Sequence, residues 1–196
     1  MNKWTGFFLA AGAVLIIGFA LLRKVFWNRI LEQISAEEFK KAEASINGPL
    51  GNLCLSRMNQ TTLFLSCLMG EGDSKRIRHL INQLPKLTDQ QREQILARAF
   101  AWFVSTKDRQ GAVEAMNLSN HQKEDKQMQI DILLDGRTNH IEKLCSRMKD
   151  LPDAPAKGIM AYLVGVQYDL LDQKDKAREY YEITRRCCGK NVFAQL

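Results

Sequence analysis

"AYLVGVQYDLLDQKDKAREYYEIT", residues 161–184, is the stretch that decides the fold of this 196-residue chain. Its apolar residues recur three and four positions apart on both sides of the polar turn "LDQKD", which predicts two amphipathic helices joined by a tight turn. Gly165, Tyr168, Ala177 and Tyr181 follow one another at intervals of three, nine and four residues. A glycine on one helix and an alanine on the next allow close approach, and the two aromatic rings fill the space between pairs.

These spacings resemble those of the tetratricopeptide repeat family, over residues 156–188. The resemblance implies that Gly165, Tyr168, Ala177 and Tyr181 pack the repeat. In that family the first helix of each pair lines a concave surface, which implies a partner-binding groove at Ile159, Tyr162, Val166 and Asp169. Some members of the family bind the terminal carboxylate of a partner through basic and amide residues in this groove. Tyr162 and Val166 are neither, so the resemblance does not imply a carboxylate-binding site here. An apolar groove instead suits an amphipathic helix or an extended apolar peptide.

The same helical rhythm runs towards the amino terminus, without the sustained alternation that would mark a strand. We expect helices near residues 51–70, 74–84, 89–105, 109–117, 122–134, 138–149, 155–171 and 174–187. Helix pairs of this size cannot bury their apolar faces alone, so they stack into an array. The prediction for residues 50–196 is an all-α solenoid of about four antiparallel helix pairs. Over residues 51–150 the likeness is one of helix rhythm, and another helical solenoid is the alternative.

The first thirty residues differ in composition from the rest of the chain. No charged side chain occurs between Trp4 and Leu22, a stretch close to the roughly 20 residues that cross a bilayer as a helix. Bulky and basic residues follow this stretch, which argues against a cleaved signal peptide. We therefore expect a transmembrane anchor within residues 1–30, with residues 4–22 in the bilayer and residues 31–49 as a juxtamembrane helix or linker. The predicted membrane-interface residues are Trp4, Arg23, Lys24, Trp27 and Arg29.

The bias of basic residues predicts a cytoplasmic body, with the amino terminus outside and the carboxyl terminus inside. A bacterial inner membrane is slightly favoured over a mitochondrial outer membrane. The net charge of +6 comes largely from residues 1–30, which hold four of the 28 basic residues and leave 24 against 22 acidic ones elsewhere. Five cysteines form no even framework, which fits a reducing compartment. The body shows no basic face of the kind that a nucleic-acid-binding domain requires.

No catalytic or cofactor-binding pattern is present in the sequence. His79, His121 and His140 lie in separate segments without metal-ligand spacing, and there is no glycine loop that would cradle phosphates. Cys145 and His140 point about 140° apart on a helix of 3.6 residues per turn, so they form no dyad. Asp131, Glu142 and Asp169 are interpreted as solvated residues on helix faces. The sequence predicts no enzyme activity, no cofactor and no metal site.

The expected function is that of a membrane-anchored scaffold or adaptor whose helical-repeat body binds partner proteins. Two alternatives stay open: a structural subunit or assembly factor of a membrane complex, and an outward-facing chaperone-like module. The apolar residues Val192 and Phe193 follow the last helix pair, where an array needs a polar cap. We therefore expect residues 188–196 either to support homo-oligomerisation or to dock into a larger complex.

Overall fold

The computed structural model describes residues 3–149, 151–152 and 154–189, with side chains from residue 16 onward. Every regular element in this part of the chain is an α-helix, so the all-α prediction is confirmed. The helices are α1 (Lys3–Ser35), α2 (Phe39–Asn47), α3 (Pro49–Cys54), α4 (Arg57–Glu71), α5 (Ser74–Asn82), α6 (Asp89–Ser105), α7 (Arg109–Leu118), α8 (Lys123–Leu133), α9 (Ile141–Lys149), α10 (Pro155–Leu170) and α11 (Lys174–Cys188).

From α5 onward the predicted helices lie within a few residues of the observed ones. The helix predicted at residues 51–70 is divided, however, into α3 and α4. Leu55 and Ser56 between them are extended, and the Ser56 hydroxyl accepts a hydrogen bond from the Asn59 amide at 3.2 Å. Serine at this position supplies an acceptor to an otherwise unpaired amide, so a new helix begins there.

Within the described part of the chain, no helix combines the length and the apolar character needed to cross a membrane. The predicted single-span anchor over residues 4–22, and the single-pass localisation that depended on it, are therefore wrong. In its described portion α1 carries Arg23, Lys24 and Arg29, which are exposed, and it continues without a break to Ser35. These charges end the apolar run at Leu22, and the helix continues beyond them for several turns.

The carboxyl-terminal part of α1 belongs to a protein core. Phe26 and Ile30 are buried, and Trp27 packs against the same cluster, so its ring contacts protein where the sequence predicted a membrane interface. Trp4 lies outside the residues whose side chains the structure describes. The apolar face formed by Phe26, Ile30 and Ile34 extends α1 through Ser35.

The chain divides into two compact units, Met1–Ile95 and Leu96–Leu196. In the first unit α2 and α4 are antiparallel, because Phe39 lies at Gly70 while the Ile46 carbonyl faces Gln60. Arg76 on α5 forms ion pairs with Glu43 of α2 and with Glu71 of α4. Apolar side chains of α2, of α4 and of the end of α1 pack together in one buried cluster.

In the second unit α10 and α11 form an antiparallel hairpin. Gly158 faces Cys188 and Gly165 faces Tyr181, so positions that advance along α10 meet positions that recede along α11. A Cβ atom at Gly165 would lie 2.6 Å from the Tyr181 ring, which shows how closely the backbone of α10 approaches that side chain. Met128, Leu144, Ala161 and Val164 join α8, α9 and α10 in one apolar core.

A similar close approach joins α6 to α7. A Cβ atom at Gly111 would lie 2.3 Å from the ring of Phe103, which is fully buried. The ring is enclosed by the core, so it has little room to move away from an added methyl group. Glycine at position 111 is therefore required by packing.

We predict that Gly111→Ala lowers the free energy of unfolding by about 1–3 kcal/mol, the usual cost of overpacking a core. Urea denaturation would measure the change. Gly18→Ala is the control, since a Cβ atom at that helical glycine meets nothing within 4 Å. Combining Gly111→Ala with Phe103→Leu should recover part of the loss because the ring is removed. Equal stability of Gly111→Ala and the parent chain would contradict this account of the contact.

Candidate partner-binding groove

The sequence of α6 fixes both of its ends. At the start, the Gln91 amide donates to the Thr88 hydroxyl at 3.3 Å, and the Thr88 amide donates to Oε1 of Gln91 at 3.1 Å, which is a capping box. At the end, the Lys107 amide donates to the Val104 carbonyl, and the next amide along the chain donates to the Phe103 carbonyl. This is the Schellman arrangement, with Lys107 in the left-handed region at φ 58°.

Two further helices are positioned beside α6 in the second unit. The ammonium group of Lys126 on α8 is buried and donates to the Ser119 hydroxyl and to the His121 carbonyl. These bonds satisfy a buried charge and fix the turn before α8. Helix α10 begins with Pro155 at its first position, where the missing amide costs nothing.

A cavity of about 380 Å³ opens between α6, α8 and α10, within the second unit. Its volume lies at the lower end of the range of about 300–1,000 Å³ for ligand sites in proteins. The wall is mainly apolar and aromatic, with two neutral polar side chains and one lysine. The lining residues are Ala101, Trp102, Val104, Ser105, Lys107, Gln129, Leu133 and Tyr162. We call this set the α6–α8–α10 groove.

A buried polar network fastens α8, the turn after it and α10. Asp131 is only 5% exposed, and its carboxylate accepts from Gln127 Nε2 at 2.8 Å and lies 3.0 Å from His140 Nε2. Because an ionised carboxylate can only accept hydrogen bonds, His140 carries a proton on Nε2. The His140 amide in turn donates to Oε1 of the fully buried Gln167 on α10, at 2.9 Å. Arg137 completes the network with an ion pair of 3.3 Å to Asp131.

Ion pairs on the surface join the same helices. Arg109 on α7 makes two hydrogen bonds, of 2.7 and 3.0 Å, to the carboxylate of Asp135 after α8. The Arg109 guanidinium holds the pKa of Asp135 below its ordinary value. Arg147 on α9 bonds Asp125 at 2.6 Å and Glu124 at 2.9 Å on α8. Together these contacts keep α7 and α9 in fixed positions against α8.

One wall of the groove rests on a pair of tyrosine rings. The centroids of Tyr162 and Tyr181 are 6.0 Å apart, and the Tyr181 hydroxyl donates to Asp169 at 2.6 Å. Burial raises the pKa of Tyr162. Burial is also the main cause of the raised pKa of Tyr181, with the hydrogen bond to Asp169 next. The Tyr162 ring is therefore supported from behind by the α10–α11 hairpin.

The predicted groove residues divide among different surroundings. Tyr162 lines the groove, whereas Ile159 on the same helix is 50% exposed and does not appear in its lining. Val166 is half-buried against the core of α8, α9 and α10, and Asp169 accepts the hydrogen bond from Tyr181. The predicted residues Val192 and Phe193 lie outside the described residues.

The four predicted packing residues lie on the α10–α11 hairpin. Gly165 faces the Tyr181 ring, and Ala177 is buried. Tyr168 stacks on Tyr180, with centroids 5.6 Å apart, and the Lys176 ammonium lies 5.2 Å from the Tyr168 centroid. The hairpin is thus held together by aromatic contacts on both sides of α10.

Sequence reasoning missed the groove residues on α6 and α8, above all Trp102 and Leu133. The repeat pattern specifies helix faces only in the last pair, so the sequence gives no register for α6 and α8. It also misplaced Asp131, which is buried in the polar network and was expected to be a solvated residue. The sequence does not show this network, because Asp131 and His140 become adjacent only when the turn after α8 folds back.

Cys145 and His140, two side chains of types that can act in catalysis, are both engaged in hydrogen bonds with neighbouring side chains. Cys145 lies 3.2 Å from the Tyr180 hydroxyl, and this hydrogen bond is the main cause of the raised pKa of Tyr180. His140 is engaged on one side by Asp131, which holds the ring in a structural role. Among the described residues, no three histidine, cysteine or acidic side chains come together as a metal site would require.

Comparisons of the chain with protein-family models, with curated proteins and with solved structures return no match.

We predict that Asp131→Ala lowers the free energy of unfolding by about 3–5 kcal/mol, because removing one member leaves the other buried polar groups without their partner. Chemical denaturation would measure it. The control is Glu142→Ala, an exposed carboxylate on α9, which should change stability by less than about 0.5 kcal/mol. Similar effects of the two substitutions would contradict the importance of the network.

A second prediction concerns acid stability. Since the pKa of Asp135 is lowered in the folded state, the stability that it contributes is complete above the unfolded pKa of about 3.9 and is lost as pH falls through the folded value. Asp135→Asn should therefore be less stable than the parent chain at pH 7, and this difference should shrink below about pH 4. Urea titrations between pH 7 and pH 3 would measure the difference in the free energy of unfolding. A difference that does not change with pH would contradict the proposed contribution of the Asp135 carboxylate.

Proposed function

We propose that this chain is a protein-interaction scaffold, an all-α protein whose α6–α8–α10 groove holds a segment of another polypeptide. The observation that carries the proposal is the groove itself, in which Trp102 and Tyr162 present half-buried rings to an unfilled space of about 380 Å³. Tryptophan and tyrosine in desolvated pockets are the residues that contribute most to protein-protein binding.

The chemistry of the wall favours recognition of a polypeptide. Trp102, Leu133 and Tyr162 offer apolar surface to a bulky side chain, and the Gln129 carboxamide can both donate to and accept from a peptide backbone. Groove binding of this kind needs an apolar face on the partner. It requires no group that forms or breaks a bond.

The rigidity of the groove supports the same proposal. Asp131, His140 and Gln167 tie α8 to α10, and the Arg109–Asp135 pair ties α7 to the end of α8. A preformed site loses less side-chain freedom on binding, which leaves more of the contact energy for affinity. The likeness of residues 156–188 to tetratricopeptide repeats, a family of binding scaffolds, agrees with this interpretation.

Ala101→Arg tests the proposal, since the exposed Ala101 lines the groove and an arginine there fills it. The full chain would be used to select binders from a random phage-displayed library of 12-residue peptides. We expect enrichment of peptides with aromatic or leucine side chains. Fluorescence polarisation should then show that Ala101→Arg weakens binding of a selected peptide at least tenfold, as steric exclusion of a buried anchor implies.

Ala44→Arg is the matched control, because Ala44 is an exposed alanine in α2, in the other unit. It should bind the selected peptides as the parent chain does. Circular dichroism of both variants would establish that they are folded. Failure to enrich any sequence, or equal binding by Ala101→Arg and the parent chain, would overturn the proposed function.

A further inference from the structure

Lys107 is the one charged side chain among the described residues that line the α6–α8–α10 groove. Its side chain is exposed, and none of the ion pairs between described residues involves it. The rest of the lining is apolar or neutral. A partner segment in the groove therefore meets a single positive charge beside aromatic surface.

Two carboxylates, one adjacent to Lys107 in the chain and one bound by Arg109, are engaged in other hydrogen bonds. Asp108, its neighbour in the chain, accepts a hydrogen bond from the Gly111 amide at 2.9 Å and caps α7. Asp135 is bonded through both oxygens to Arg109. The protein thus leaves the charge of Lys107 without a compensating carboxylate in the groove wall.

The backbone makes lysine an unexpected residue at this position. Lys107 has φ 58° at the carboxyl-terminal cap of α6, a conformation in which glycine carries no steric cost. The turn between α10 and α11 repeats the arrangement: Asp172 has φ 56°, its amide donates to the Asp169 carbonyl, and the Gln173 amide donates to the Tyr168 carbonyl. The two caps are therefore a matched pair, of which one lines the groove.

We infer that the partner segment carries a carboxylate close to its apolar anchor, and that Lys107 binds this carboxylate while Trp102, Leu133 and Tyr162 hold the anchor. This inference rests on the proposed function and specifies its partner class, an acidic amphipathic peptide. Charge complementarity gives the preference, because opposite charges across an interface select partners and like charges reject them.

A nucleic acid is a poorer occupant for this groove. Binding to a phosphate backbone draws its affinity from several lysines and arginines that each neutralise a phosphate, whereas the groove wall offers Lys107 alone. The apolar side chains that surround Lys107 suit a peptide in which one acidic residue stands beside a bulky one.

The test uses the full chain and three variants, Lys107→Gly, Lys107→Glu and Asp172→Gly, in the same selection of random 12-residue peptides. Peptides enriched by the parent chain should contain aspartate or glutamate more often than the starting library does. Lys107→Glu should reverse this preference towards lysine and arginine. Lys107→Gly should abolish it without lowering the melting temperature, since glycine relieves the left-handed backbone.

A direct measurement compares one selected peptide with its variant in which the acidic residue is replaced by its amide. We expect the parent chain to prefer the acidic form by about two- to fivefold, the range for exposed ion pairs, and the ratio to fall towards one in high salt. The ratio should be close to one for Lys107→Gly. It should keep its parental value in Asp172→Gly, which changes the backbone of the equivalent cap away from the groove.

The possible outcomes separate the inference from the proposed function. If Lys107→Gly keeps the parental ratio, or if the parent chain shows no acidic preference, the inference is overturned while binding that is blocked by Ala101→Arg still supports the groove. If no peptide is enriched, or if Ala101→Arg binds normally, both are overturned. Loss of the ratio in Lys107→Gly together with its retention in Asp172→Gly supports the inference.

Discussion

The buried carboxylate of Asp131 is the constraint on which the second unit depends. A charge removed from water must be compensated by hydrogen bonds and opposite charge, and here Gln127, His140 and Arg137 provide them. Satisfying that charge requires the turn after α8 to fold back over α8. The same requirement places the His140 amide against Gln167, so the position of α10 relative to α8 is fixed by the need to satisfy the buried polar groups.

The groove follows from this arrangement. Two of its walls, α8 and α10, are tied by the polar network, and α6 joins them through the close contact of Phe103 with Gly111 and through the Arg109–Asp135 pair. The tyrosine pair at Tyr162 and Tyr181 supports the wall from the far side of α10. Because these contacts hold the three helices in place, the groove between them stays open. A preformed binding site needs such an open groove. The proposed recognition of an acidic, apolar segment uses this rigidity together with the single charge of Lys107.

The first unit shows how a long apolar sequence can mislead. A stretch of nineteen residues without charge predicted a membrane anchor, but the helix that contains it continues to Ser35 and uses Phe26, Trp27 and Ile30 in a protein core. Hydropathy measures the cost of exposing a side chain to water, and it does not specify what removes the side chain from water. Packing against α2 and α3 removes the apolar side chains in the carboxyl-terminal turns of α1 from water.

What the sequence determined by itself was the local structure. Period and punctuation located α6, α7, α8, α10 and α11 closely, because helix formation and capping depend on residues within four positions of one another. The spacing of Gly165 and Tyr181 likewise anticipated a close approach in the last hairpin. Tertiary structure decided which distant side chains meet: it buried Asp131 against His140, brought Trp102 and Leu133 beside Tyr162, and placed Lys107 among them. These contacts join residues that are far apart in the chain, and their formation depends on how helices pack, which no local pattern encodes.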